Sequence, residues 1–321
     1  MTTELNSLHD LRRDAFAYGW DNSLEPALEI ESGEAVLLHV REASDLQIQE
    51  HSSVDEVLCL DFSHVNPVSG PIFVKGAKPS DTLAVELLEM VPSTWGWTAI
   101  IPGFGLLAAE FPDPWLRISR VDAEQGLVRF SESVTLPFRP FPGTIGIAPA
   151  EPGRHSVVPP SRFGGNVDIK HLVPGTTLYL PIGVDGALFS LGDTHAAQGD
   201  GEVCGTAIES AMDVAVRLSV RKDIRIDGPQ FDVPASVGLD SRNAAYHVCT
   251  GVGPDLLEAA RDAVRATILW LGDHHGIDRE EAYALTSVAC DLRIHEVVDA
   301  PNWVVGCFVP AAIFLPGDAG D

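Results

Sequence analysis

Apolar and polar positions alternate in short runs broken by turn residues through the first three quarters of the chain, a pattern that predicts strands rather than long helices. Candidate strands with β-branched and apolar content are Ala35 to Val40, Glu56 to Phe62, Ile72 to Val74, Thr82 to Glu89, Leu127 to Phe130, Thr177 to Pro181 and Ala187 to Leu191. Alternation is sharpest in Thr82-Leu83-Ala84-Val85-Glu86-Leu87, where Leu83, Val85 and Leu87 share one face and are expected in the core. Gly70, Lys75, Pro79, Thr82 and Leu83 recur at an offset of 95 as Gly165, Lys170, Pro174, Thr177 and Leu178. Each copy sets a Pro-containing turn before a strand, as a reused supersecondary unit would. Beyond Pro254 the period changes. Leu257, Ala260, Val264, Ile268 and Leu271 fall on one helix face, with Gly272 as the expected stop. Asp278-x-x-Glu281, an Asp form of the capping box, predicts a second helix towards Ala289, and Asp291 to His295 and Trp303 to Val309 read as strands. The expected fold is mainly β: a sandwich- or barrel-like body with an internal echo, plus a C-terminal α+β region. An N-terminal β region (1–155), a central β region carrying the candidate chemistry (156–235) and the α+β region (236–321) are expected to form one compact unit.

Charge narrows the partners. Among 321 residues, 21 Lys and Arg stand against 46 Asp and Glu, a net charge of −25, and 45% are hydrophobic. A folded, acidic chain without Lys/Arg clusters has little to offer nucleic acid phosphates or anionic lipid, so neither partner is expected. No stretch approaches the ~20 apolar residues of a membrane span, and no apolar run follows the Arg12-Arg13 pair, so a cytoplasmic place is expected. Cysteines at 59, 204, 249, 290 and 307 form no C-x-x-C pair and are expected as buried small residues in a reducing compartment.

The densest run of catalytically usable residues is Gly192-Asp193-Thr194-His195-Ala196-Ala197-Gln198-Gly199-Asp200-Gly201-Glu202. In an extended segment Asp193 and His195 point the same way, and the glycines at 199 and 201 allow a turn that brings Asp200 and Glu202 back towards them. A solvated surface turn is the commoner meaning of Gly-Asp-Gly. Here, though, no Lys or Arg in the run neutralises its acids, which then need a cation or raised pKa values. One imidazole with several carboxylates suits zinc, with calcium or manganese as alternatives. In Gly164-Gly165-Asn166-Val167-Asp168-Ile169-Lys170-His171, paired glycines allow close approach of a ligand, while Asn166, Asp168 and Lys170 alternate onto one side. The stretch from Asp61 through His64 and Asn66 to Pro71 again supplies Asp, His and Asn at a turn, where ordinary loop service is the plainer reading. Nucleotide-binding glycine motifs, H-E-x-x-H and the G-x-S-x-G elbow are all missing. Cys204 is placed in a buried strand with Thr206 and Ile208, where a thiol is inert, and His274-His275 is expected at a helix C-terminus.

Taken together, these stretches resemble the acetamidase/formamidase family. The resemblance is carried by Asn66-Pro67-Val68-Ser69-Gly70-Pro71, Val74 through Leu83, Gly143 through Pro149, Gly164 through Asp168, Gly186 through Glu202, and Ala289 through Asp299. It runs in order from about residue 18 to 310, and the G-D-x-H-A-A-x-G-D-G-E string is its most specific part. The resemblance implies a hydrolase of small carboxamides, releasing carboxylate and ammonia, and a homo-oligomer, a dimer or higher. The chain departs from common members at Val167 and at Phe62-Ser63-His64, which bears on substrate size.

The expected site has Asp193, His195 and Asp168 on a divalent metal, with Glu202, Asn166 and Asp200 as catalytic residues and Asn66, Gly165 and Asp61 against the substrate. Glu202 would move the proton between water and the departing nitrogen, and Asn166 would orient the amide or its oxyanion. Hydrolysis of a lactam, carbamate or larger amide is the nearest alternative, and a non-catalytic β module binding metal and a small ligand is the other.

Overall fold

The alternating segments pair into three sheets in a computed structural model of the chain, which describes residues 8–238 and 245–314. The largest sheet runs, in spatial order, His9–Leu11, Ala35–Val40, Met212–Arg221, Thr82–Pro92, Thr177–Pro181, Gln230–Val233, Tyr246–Gly253, Trp303–Pro310 and Asp291–Glu296. It therefore draws on the N-terminal, central and C-terminal thirds of the sequence alike. A second sheet orders Gly164–Asn166, Phe141–Ile147, Phe189–His195, Val68–Val74 and Phe16–Ala17, with Leu28–Ile30 also paired to Val68–Val74. The third joins Thr135–Pro137, Leu127–Arg129, Trp115–Asp122 and Trp95–Ile100. With 39% strand and 14% helix, the fold is mainly β and sandwich-like, without a closed barrel.

The two larger sheets share one apolar core, to which Leu83, Val85 and Leu87 contribute from the first and Ile72, Ile145 and Leu191 from the second. Leu83, Val85 and Leu87 are buried as their alternation requires. The echoed motif occupies equivalent places. Each copy gives a strand to the second sheet, Val68–Val74 or Gly164–Asn166, and then one to the first, Thr82–Pro92 or Thr177–Pro181. The latter two pair antiparallel near the middle of the sheet, Leu83 opposite Leu180 and Val85 opposite Leu178.

Several local expectations are corrected. Glu56 to Phe62 is not a strand. Ser53 and Glu56 form a reciprocal capping box that opens a short helix, α1 (Val54–Leu58), followed by a 3-10 turn at Phe62–His64. Ala187 and Leu188 take φ of 61° and 54° in a turn, so that strand begins at Phe189. Helix α2 (Leu256–His275) passes through Gly272 and stops at Gly276, whose φ of 64° terminates it. Its buried residues are Ala259, Ala263, Thr267 and Leu271, whereas Leu257 is exposed. Small residues win that face because the helix presses onto Gly251, where a Cβ would lie 1.9 Å from the Ala259 carbonyl oxygen. Helix α3 (Arg279–Ala289) starts where expected, but the Asp278 side chain makes no capping hydrogen bond. Cys249 and Cys307 are buried, Cys59 is exposed, and Cys204 is half-buried in a turn rather than in a strand. His274 and His275 do occupy the last turn of α2. Among the described residues no helix is long and apolar enough to cross a membrane.

Candidate active site

The strand Phe189–His195 is central in the second sheet and buried at every residue, so its two ionisable groups cannot reach bulk water. Phe141–Ile147 pairs with it, Phe141 opposite His195 and Thr144 opposite Gly192, and also pairs Thr144 with Asn166 on Gly164–Asn166. Three strands thus deliver Asp193, His195, Thr144 and Asn166 to one place, and Asp168 follows two residues beyond Asn166. Asn66, Asp168, Asp193 and Glu202 adopt φ of 48°, 44°, 53° and 43°. That left-handed backbone is disfavoured for side-chain-bearing residues, and here it recurs at four positions of one site.

His195 is the hub. Its Nε2 lies 3.0 Å from Glu209 Oε2 and 3.3 Å from Asp193 Oδ1, and its Nδ1 lies 3.7 Å from Asp168 Oδ1. Gln198 fixes the ring: its Nε2 donates to the Asp168 carbonyl at 3.0 Å, so its Oε1 accepts from His195 Nδ1 at 2.9 Å. Nδ1 thus carries a proton, and Nε2 faces Glu209 and Asp193, where it holds a second proton or, once that is displaced, a metal ion. Asn66 Nδ2 donates to Asp193 Oδ2 at 3.1 Å, and the Thr144 hydroxyl donates to Asn166 Oδ1 and, at 3.2 Å, to Asp193 Oδ2. Asn166 Nδ2 donates in turn to Asp299 Oδ2 at 2.6 Å.

Five carboxyl groups, on Asp168, Asp193, Glu202, Glu209 and Asp299, are buried around this one imidazole. Among the described residues none of them is paired with Lys or Arg. Taking so many like charges out of water together is too costly to leave them all ionised and uncompensated. Burial, reinforced by neighbouring carboxylates, raises the proton affinities of Asp168 and Glu202 well above the ordinary range. Burial also lifts Glu209 to about 7 and Asp299 to about 6. Asp193 is held low despite its burial by the charge and hydrogen bonding of His195. Burial opposes a charge on His195, but Glu209 and Asp193 outweigh it and raise the imidazole well above its usual value. The cluster therefore demands a cation, and a proton or a metal ion meets the demand.

The donor set fits a metal. Both oxygens of Asp168, Nε2 of His195 and Oε2 of Glu209 are buried without a hydrogen-bond partner among the described residues. Ligand atoms of Asp168, Asp193 and His195 lie within 4.8 Å of one another, as do those of His195, Glu202 and Glu209, and of Asp168, Glu202 and Asp299. Gly143 keeps the floor open: a Cβ there would sit 2.5 Å from Asp168 Oδ1 and 2.9 Å from Asp193 Oδ2. Above the cluster is a cavity of about 220 Å³ with Asn66, Asn166 and Glu202 at its base and Leu60, Phe62, Trp97, Ile101, Phe104 and Val158 in its walls.

Of the residues singled out in the sequence, Asp168, Asp193, His195, Glu202, Asn166 and Asn66 come together here. Gly165 serves the backbone, at φ 111° and packed against the Pro159 carbonyl. Asp200 turns outward to Lys170, 3.1 Å away. Asp61 is exposed at the surface, where it caps the 3-10 turn and pairs with His64 at 2.8 Å. Glu209 lay outside every stretch singled out in the sequence, and Gln198, Thr144, Gly143 and Asp299 lay inside such stretches without an assigned role. The available signal was a lone acid in apolar surroundings, Ala207-Ile208-Glu209 and Val297-Val298-Asp299.

Comparison with known proteins gives the family of the chain. The model of the Acetamidase/Formamidase family matches residues 6–157 and 150–315. A formamidase of Methylophilus methylotrophus is 26% identical, over 92% of this chain and 88% of its own. The crystal structure of an acetamidase from Bacillus halodurans is similar at a TM-score of 0.86 and 29% identity, covering 95% of this chain and 98% of that one. A gamma lactamase from Delftia acidovorans is similar at a TM-score of 0.67 and 26% identity, covering 100% and 94%. With the family match running almost end to end, this chain belongs to the acetamidase/formamidase family.

Proposed function

We propose that the buried cluster hydrolyses small neutral carboxamides to a carboxylate and ammonia, with a divalent ion, zinc before calcium or manganese, held by Asp168, Asp193 and His195. The observation that carries this is five buried carboxyl groups around one histidine whose ring Gln198 fixes, at the base of a cavity sized for a small molecule. When bound, such an ion supplies a Lewis acid that draws electron density from the amide carbonyl and makes a neighbouring water acidic enough to ionise near neutral pH.

The remaining chemistry is assigned to the chain's own groups. Glu202 lines the cavity and has a strong affinity for protons because of its burial and the charges of Asp299 and Glu209. It is suited to collect a proton from the attacking water and deliver it to the departing nitrogen, which cannot leave as an amide anion. Asn166, held from two sides by Thr144 and Asp299, is rigid enough to orient the amide. Apolar walls exclude water and favour uncharged substrates, in keeping with a chain of net charge −25.

Ammonia release from formamide, acetamide, propionamide and a γ-lactam tests the reading. Wild-type protein is expected to release ammonia from at least one linear amide, and a folded Glu202→Gln variant to lose most of it. Full activity in Glu202→Gln would remove Glu202 from this role. The cyclic amide is included because the cavity's aromatic wall leaves more room than a one- or two-carbon amide fills.

A further inference from the structure

A second cavity, of about 530 Å³, abuts the first, and Glu202 and Thr206 line both. Its lining adds basic side chains to the acids Asp200 and Glu202. Although the chain holds only 21 basic residues against 46 acidic ones, Arg139, Lys170 and Arg293 all line this one cavity. Lys170 is paired with Asp200 at 3.1 Å. The two arginines have no carboxylate partner among the described residues. Arg139 Nη2 donates to the carbonyls of Val237 and Gly238 at 3.5 and 3.2 Å. Arg293 rests its guanidinium 4.9 Å above the Phe308 ring and places Nη1 3.5 Å from His171 Nε2.

His171 also lines the cavity, is only 3% exposed, and its Nδ1 is buried without a partner. Arg293 can only donate, so Nε2 of His171 accepts and Nδ1 carries the ring proton, a further donor with no acceptor. Burial and the surrounding cations keep this imidazole uncharged, its pKa pushed down to about 2. Two guanidinium groups without a carboxylate partner among the described residues, with the Lys170–Asp200 pair and the His171 ring beside them in one cavity, are a donor set for a planar anion.

We propose that this cavity is a carboxylate-binding site. Its place beside Glu202 gives the carboxylate a source. If the adjoining cluster hydrolyses amides, as proposed above, its acid product is formed next to a cavity whose arginines attract it. The same donors would equally anchor a remote carboxylate on a substrate such as succinamate.

Binding of acetate and succinate by calorimetry, alongside ammonia release, tests the proposal on the purified protein. Arg139→Gln and Arg293→Gln are expected to weaken carboxylate binding about tenfold or more each, the loss of a charge-assisted hydrogen bond. Initial turnover of butyramide should be unchanged. Arg293→Lys, which keeps the charge and lacks the fork, serves should Arg293→Gln fold poorly, and it is expected to bind intermediately. Relief of acetate inhibition in the variants would identify the product as the ligand. A rise in KM for succinamate but not butyramide would identify a substrate carboxylate. Carboxylates that fail to bind the active enzyme, or that bind the folded variants as tightly as wild type, would overturn the proposal and leave the amidase reading standing. Carboxylate bound at these residues by a protein that releases no ammonia would support the site and refute the amidase reading.

Discussion

The Asp61–His64 pair at the surface and the Asp193–His195 pair in the second sheet use the same residue types, and their surroundings set them apart. At the surface, Asp61 and His64 pair at 2.8 Å, and Asp61 also accepts from the Ser63 backbone and hydroxyl. Those hydrogen bonds lower the Asp61 carboxyl to about 2, and the group needs nothing further. In the second sheet, Asp193 and His195 are 3.3 Å apart but buried with four more carboxyl groups and several idle donor atoms. The same residue types that merely finish a turn in water become, once desolvated and left unsatisfied, a site that must take up a cation. Burial and unmet coordination, rather than residue identity, mark the functional one.

The buried cluster is most vulnerable at Gly143, where a Cβ would lie 2.5 Å from Asp168 Oδ1. Gly143→Ala would drive a methyl group into Asp168, Asp193 and His195, and loss of ammonia release to background is expected in a protein whose circular dichroism is little changed. Glu202→Gln should follow, with kcat reduced about 10²- to 10⁴-fold, the usual worth of a general acid–base, while Tm holds. Thr144→Val removes the hydroxyl that orients Asn166 and Asp193, and a metal titration should show affinity weakened about 10- to 100-fold. Asp61→Asn is the control, with activity and metal affinity expected within error of wild type.

pH sharpens the contrast because the two clusters have opposite slopes. Asp299 and Glu209 are raised by burial to about 6 and about 7, so they bind protons in the folded chain that the unfolded chain has released. Their contribution to stability is full below the unfolded values near 4, and is lost as pH rises through the folded ones. Chelated protein should therefore show Tm falling between about pH 4.5 and 7, and restoring zinc should flatten that fall. Asp61, depressed to about 2, contributes in the other direction: its share is present above the ordinary carboxylate range and is lost as pH drops towards 2. A rising Tm over the neutral range in chelated protein would contradict the assignment of these buried acids.

Much of the sheet structure was legible in the sequence because alternation has a local cause. Ala35–Val40 and Thr177–Pro181 form at the bounds their patterns predict, and the Asp193, His195 and Glu202 string does close on itself. Period-2 alternation assigns a face, however, and does not say which distant strand will pair there. Glu209 reaches His195 through a bridge between remote segments, and Asp299 arrives from the loop after Asp291–Glu296. No spacing rule announces either. Asp200, two residues from Glu202, looked equivalent to it, yet the turn sends one carboxylate inward and the other to Lys170. The second cavity was hidden for the same reason, since Arg139, Lys170 and Arg293 are far apart in the chain.

The most direct test is metal content and ammonia release followed together on one sample: as purified, after chelation, and after adding back zinc, calcium or manganese singly. Chelation is expected to remove about one tightly held ion per chain together with activity, and one of the ions to restore both. Undiminished release from chelated protein free of bound ion would contradict a metal at Asp168, Asp193 and His195, and would leave the buried carboxyl groups to work with protons alone.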